Sequence, residues 1–256
     1  MGPKYSSPAI NLLLDEVAAV RGGLSATDEI AWRNEKAACE VERVIIESPL
    51  PPRKTIREIA SWCAGVESPI EAVFATRSWL VLSMKLGGFA ERVEKKEAEY
   101  LAHGLQAYVN VERIAPQRPC PCDTTCFYVD FFLEVSVCAV PAEDGLRDHA
   151  TGIFRTSGLI VECDGRDGHD GWEQRERDEM RTCLLVAGGY GPVVRFSGAQ
   201  INGDPRGCVL IAADALLAQL PDPKAMLALV GEREEQRRRL VIDNPVGARS
   251  RELAIV

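Results

Sequence analysis

The run Cys126–Val140 (CFYVDFFLEVSVCAV) is so rich in β-branched and aromatic residues that a chain containing it must bury a strand. One residue in the run resists that fate. Asp130 sits between Val129 and Phe131, where a carboxylate is costly to bury without a partner. Whatever fold this chain adopts must supply that partner.

The surrounding sequence predicts an α/β protein. Ala107–Ile114 (AYVNVERI) alternates as a first strand, Gly158–Cys163 (GLIVEC) reads as a third, and Val193–Phe196 as a short fourth. Residues 9–46 have helical spacing, with a start at Ser25-Ala26-Thr27-Asp28, and the proline cluster at 48–52 ends them as a linker. A second helical region covers Ile56–Leu86, with Pro69 near an internal start. Trp172–Ala187, Cys208–Leu220 and roughly Pro223–Leu240 complete the helices, and Pro116–Thr125 is expected as a loop. We expect a mixed central sheet flanked by helices with an N-terminal helical extension. The domain reading is 1–55 for the extension, 56–220 for the core, and 221–256 for a charged C-terminal helix and tail.

Composition narrows the function classes. At 46% apolar residues, a sizeable core can form. No apolar run approaches the roughly 20 residues that span a bilayer, so no membrane partner is expected. The N-terminus MGPKYSSPAI lacks a basic segment followed by an apolar stretch, so no secretory signal is read there. Nine scattered cysteines, an odd number, fit reduced thiols and a cytoplasmic setting. Cys63, Cys138, Cys183 and Cys208 lie among apolar residues and are expected as small core side chains. A net charge of −8 argues against tight, non-specific coating of nucleic acid.

Glu162 and Asp164 close the third predicted strand, one residue apart. A strand repeats every two residues, so both carboxylates share a face and Cys163 points the other way. If this strand neighbours the one carrying Asp130, three carboxylates converge at one strand end. Like charges that close stay ionised only around a cation. Oxygen ligands favour Mg2+ or Mn2+ over zinc. The competing reading is a solvated turn at Asp164-Gly165, which leaves Asp130 unexplained.

These residues belong to a longer pattern. Val129-Asp130-Phe131 is followed by Glu162-Cys163-Asp164-Gly165 with His169. Gln174, Arg177-Asp178 and Arg181 follow on one helix, then Arg195-Phe196-Ser197-Gly198 with Ile201. Taken in order, residues 67–212 resemble the PD-(D/E)XK restriction-endonuclease-like proteins related to very-short-patch repair endonucleases. Upstream, Glu67-Ser68-Pro69-Ile70-Glu71 resembles that group's first core helix, which contributes a Glu to the site. The chain departs from the group's pattern at several places. Asp164 stands where the family name implies Lys, Gln200 where Glu is usual, and Gly168 where an aromatic is common.

The resemblance implies a restriction-endonuclease-like core and a metal-dependent endonuclease acting on DNA, in repair, restriction or defence. Asp130, Glu162 and the backbone carbonyl of Cys163 would bind Mg2+ or Mn2+. Asp164 would be a second ligand or orient the attacking water, and Glu71 would hold a metal-bound water or a second cation. His169 would relay a proton. Gln174, Arg177, Arg181 and Arg195 would contact phosphate, with Arg195 also suited to pairing an acid near the site. Two other functions stay open. One is a catalytically silent binding or scaffold protein on the same fold. The other is an RNA-directed nuclease, with the N-terminal helices as a docking module for a partner protein.

Other signals carry less. Cys120, Cys122 and Cys126 have a C-x-C-x3-C spacing without a second CxxC, so free thiols are preferred over a structural zinc. GEREEQRRRL at 231–240 interleaves acids with arginines and reads as an ion-paired, solvated helix.

Overall fold

The computed structural model describes residues 5–122, 125–142, 152–164 and 172–243. It is an α/β fold in which a four-stranded mixed sheet is flanked by helices. Six helices come first: α1 (Pro8–Arg21), α2 (Ala26–Trp32), α3 (Glu35–Glu47), α4 (Pro52–Cys63), α5 (Pro69–Ser78), which runs on through a π-turn at Trp79–Ser83, and α6 (Phe89–Leu101). Strands β1 (Leu105–Cys122), β2 (Thr125–Pro141) and β3 (Ile153–Asp164) follow. Then come α7 (Trp172–Ala187), β4 (Val193–Ser197), α8 (Gly198–Gly203), α9 (Pro205–Leu217) and α10 (Pro223–Asp243).

Local chemistry sets the helix ends. The helical stretch expected over 9–46 is three helices, because Gly22 closes α1 in the left-handed conformation at φ 76°. Ser25 and Asp28 then open α2 as a reciprocal capping box. Asn34 caps α3. Proline occupies the first helical position of α1, α4, α5 and α9, where its missing N–H costs nothing. Helix α6, absent from the sequence reading, buries Phe89, Val93 and Tyr100.

The strands lie in the order β1-β2-β3-β4. Only two residues separate β1 from its neighbour β2, and a connection that short joins antiparallel strands. Strands β3 and β4 are parallel, with Glu162 opposite Arg195, Cys163 opposite Phe196 and Asp164 opposite Ser197. The expected loop over Pro116–Thr125 is corrected by the structure, since β1 runs on to Cys122. The three prolines at 116, 119 and 121 fit because β1 is an edge strand, where an N–H need not serve a ladder.

The chain divides into two compact units. The first comprises Met1–Val93, Val111–Val135 and Thr156–Gln219, and the second Glu94–Asn110, Ser136–Arg155 and Leu220–Val256. In the second, the buried Tyr100 donates its hydroxyl to the Pro221 carbonyl at 2.6 Å, and Glu97 accepts from the Val109 amide at 2.9 Å.

In the first unit, α5 covers one face of the sheet. The Phe74 ring lies 5.3 Å from Phe131 and 5.9 Å from Phe196, centroid to centroid. On the other face Leu185 of α7 packs with Phe132, Ile160, Cys120 and Cys122. Phe132 lies so flat on Gly158 that a Cβ there would come within 2.3 Å of the ring. Helix α5 is tied to α3 by the buried Arg77, which pairs with the buried Glu40 at 2.5 Å and with the half-exposed Glu47. Among the described residues no helix is long and apolar enough to cross a membrane.

Phe74→Ala should destabilise the protein by about 3–5 kcal/mol, because it removes the ring that joins β2 and β4 to α5. Chemical denaturation followed by tryptophan fluorescence measures this, and a loss below about 1 kcal/mol would contradict the packing described.

Candidate functional site

Three elements of the first unit, α5, β2 and β3, carry the carboxylates around the site. Helix α5 begins at Ser68, whose hydroxyl accepts from the Glu71 amide at 3.2 Å. Its third helical residue, Glu71, turns back to accept from the Glu67 amide at 3.0 Å and from the Gln117 side-chain amide at 3.1 Å. The N-terminus of α5 comes close to the end of β3 because residue 198 is glycine. A Cβ there would meet the Ile70 Cδ1 at 2.6 Å and the Asp164 carbonyl oxygen at 3.6 Å.

Asp130 of β2 finds its partner in the neighbouring strand. Its Oδ2 accepts from the Cys163 backbone amide at 2.6 Å. Glu162, one residue earlier in β3, is 6% exposed, whereas Asp164 at the strand end is exposed. Burial and the Asp130 charge push Glu162 up to about 7, against the pull of Arg181 and Arg195. Burial also raises Asp130, opposed by the Cys163 amide and the same two arginines, with Asp164 adding to the rise. Glu71 is raised by burial, and again by the charge of Asp130. Asp130 is therefore the member felt by both other acids. Cys163 is buried, and its thiol is held well above its ordinary value by burial and by the surrounding carboxylates.

The cation beside Glu162 is a side chain. Arg181 of α7 donates from Nη1 to the Glu162 Oε2 at 3.2 Å, and its Nη2 lies 3.0 Å from Oε1. The second contact is a charge pair without hydrogen-bond geometry, so the buried Oε1 has no hydrogen bond. The same Nη2 donates to the Tyr128 carbonyl, two residues before Asp130. Arg195, opposite Glu162 in the ladder, reaches α7 instead. It lies 3.7 Å from an Asp178 carboxylate oxygen and 3.3 Å from the Thr182 hydroxyl.

The remaining expected residues fall as follows. Arg177 is exposed on α7, and the side chain of Gln174 on the same helix lies outside the described residues, as does His169. The expected trio of Asp130, Glu162 and Asp164 is not a compact metal-holding group. Among the described residues no three His, Cys, Asp or Glu side chains converge closely enough to hold an ion. The reason is local: Arg181 takes Glu162, the Cys163 amide takes Asp130, and Asp164 faces outward.

The donor chemistry still suits a hard divalent cation. Two neighbouring carboxylates and the Cys163 carbonyl are oxygen donors, and one buried Glu162 oxygen has no hydrogen bond. Cys120 and Cys122 lie in the core while Cys126 is exposed, and all nine thiols are free.

Gln117 escaped the sequence reading, and Gln200 was seen there only as a departure from the group's pattern. Gln117 has φ 48°, a conformation rare for a residue with a side chain, and reaches Glu71 from within β1. Nothing in the sequence marks it. Gln200, the residue that stands in for the group's Glu, caps α8. Its Oε1 accepts from the Ser197 amide at 2.8 Å, while the Ser197 hydroxyl accepts from the Gln200 amide. A neutral amide fills that capping role as a carboxylate would. The Ser-x-x-Gln spacing was the available signal.

Comparison with family models, curated proteins and solved structures found no match.

The raised Glu162 has a consequence for stability. A carboxyl whose folded value lies near 7, above its unfolded one, stabilises the fold while protonated, and that contribution is lost as pH rises through about 7. With a chelator present, Glu162→Gln should melt higher than wild type at about pH 8 and gain less at about pH 5. The expected difference is on the order of 2 kcal/mol. A gain independent of pH would show that Glu162 titrates near its ordinary value.

Proposed function

We propose that this chain is a metal-dependent endonuclease of the PD-(D/E)XK type, related to the very-short-patch repair endonucleases, that hydrolyses phosphodiester bonds of DNA. The observation that carries the reading is the juxtaposition of Asp130 and Glu162. They are carboxylates on neighbouring strands, linked through the Cys163 amide, with the charge of one raising the affinity of the other for protons. Structural packing alone gives no reason to place two desolvated acids side by side at a strand end.

Asp130, Glu162 and the Cys163 carbonyl would hold Mg2+ or Mn2+. A divalent cation bound there supplies Lewis acidity toward a phosphodiester oxygen and a water of lowered pKa. Asp164, exposed beside the pair, would orient an attacking water or take its proton. Glu71 fixes the α5 N-terminus next to Asp130 and holds a second water. Arg177, exposed on α7, contacts the phosphate backbone together with Gln174. Arg195 acts by positioning, since it ties α7 to β4 through Asp178 and Thr182. His169 serves as the proton relay in this scheme.

One observation favours a second reading. Arg181 already neutralises Glu162, as it would in a silent protein that keeps the fold for binding. Two measurements separate the readings. Purified protein with Mn2+ or Mg2+ should nick supercoiled plasmid DNA, and Asp130→Ala or Glu162→Ala should lower the rate at least about 100-fold. Should wild type and both variants cut equally, the activity is not from this site. A silent protein would neither cut nor gain thermal stability from Mn2+.

A further inference from the structure

The guanidinium of Arg181 stands where a cation serving Glu162 would have to sit. Both Glu162 oxygens lie within 3.2 Å of it. Its Nη2 also binds the Tyr128 carbonyl of the strand that carries Asp130, so one side chain fastens α7, β2 and β3 together. Arg181 is 24% exposed, so the buried contact has a route to solvent. A guanidinium lying against both oxygens of a carboxylate competes with a divalent ion for them, because each brings positive charge into the other's place. A guanidinium does have one other partner of the same shape and sign, a phosphodiester, whose two unbridged oxygens match its fork as a carboxylate's do.

We propose that Arg181 is an internal counter-cation that keeps the Asp130–Glu162 pair closed in the free protein, and that a substrate phosphodiester draws it away. The pair is thereby opened to the metal. The inference rests on the nuclease reading and adds to it a coupling between substrate and metal binding. Removing Arg181 from Glu162 leaves the buried Glu162 beside the half-buried Asp130 with only the more distant Arg195 to offset their charge, which disfavours opening until the arginine has a new anion and the acids a new cation. The coupling is reciprocal, since metal bound at the pair must favour phosphodiester binding by the same factor. Arg181 is a positioning residue in this scheme, and its effect appears in metal affinity with no turnover needed.

The test is Mn2+ binding to the full chain, read from the free-ion electron paramagnetic resonance signal. It compares wild type, Arg181→Gln, Arg181→Lys and Glu162→Gln, with and without dimethyl phosphate as a stable phosphodiester probe. Wild type should bind Mn2+ weakly, Arg181→Gln at least about tenfold more tightly, and Arg181→Lys in between, because an ammonium cannot bridge both oxygens. Dimethyl phosphate should tighten Mn2+ binding by wild type several-fold and leave Arg181→Gln unchanged. Glu162→Gln should abolish the site. If wild type binds as tightly as Arg181→Gln, or dimethyl phosphate has no effect on wild type, the counter-cation role is wrong and the nuclease reading stands. If neither wild type nor Arg181→Gln binds Mn2+ under any of these conditions, both fall. The dimethyl phosphate arm on wild type decides the matter even if a variant fails to fold.

Discussion

Desolvation of Asp130 governs the arrangement around it. Asp130 is half-buried on the face of β2 opposite Val129 and Phe131, the face it shares with the buried Phe132, and burial raises its carboxyl. It takes its hydrogen bond from the backbone amide of Cys163 in the next strand. Glu162, adjacent to that amide, is then held close to a like charge in an apolar setting. Arg181, held by a strand carbonyl as well as by the acid, relieves the repulsion, and Arg195 adds to it. Each step follows from the one before, and removing Asp130 would remove the reason for the rest.

The supporting frame works at a distance. Arg195 holds α7 to β4, which aims Arg181 at Glu162. Glycine at 198 lets α5 approach the end of β3, which brings Glu71 into the field of Asp130. Phe74 sits one turn along α5 from Glu71 and packs between Phe131 and Phe196. The same helix that supplies the third carboxylate is thus seated by the aromatic residues next to Asp130 and opposite Cys163. Packing and charge are set by neighbouring residues, so shifting one moves the other.

Strand periodicity made much of this legible. The aromatic run around Asp130 and the GLIVEC segment are β2 and β3, and they are neighbours as the argument required. Periodicity says which face a side chain takes but not how far along the strand the covering helix reaches. For that reason Glu162 and Asp164, two residues apart, differ so much in exposure. The long β1 was hidden because its prolines and cysteines have loop composition, and only its place at the sheet edge makes them tolerable in a strand. Gln117 was invisible because its role depends on a backbone conformation that no local pattern dictates. Arg181 was visible as a charge at helical spacing from Arg177. Its partner was not, since sequence spacing does not show which strand residue a helix faces.

The net charge of −8 bears on this. A chain with that balance gains little from long-range attraction to a polyanion, so on the proposed reading affinity for DNA would have to come from a few arginines at short range. Arg181 spends its charge on an internal acid, which lowers its pull on phosphate further until that acid has another cation. In a nuclease of this kind, weak encounter and a self-neutralised centre would have the same effect, since neither favours cleavage of DNA that merely drifts past. On the proposed nuclease reading, discrimination would lie in how well a substrate presents a phosphate to the end of β3, where Asp164 is exposed and Arg181 is partly so.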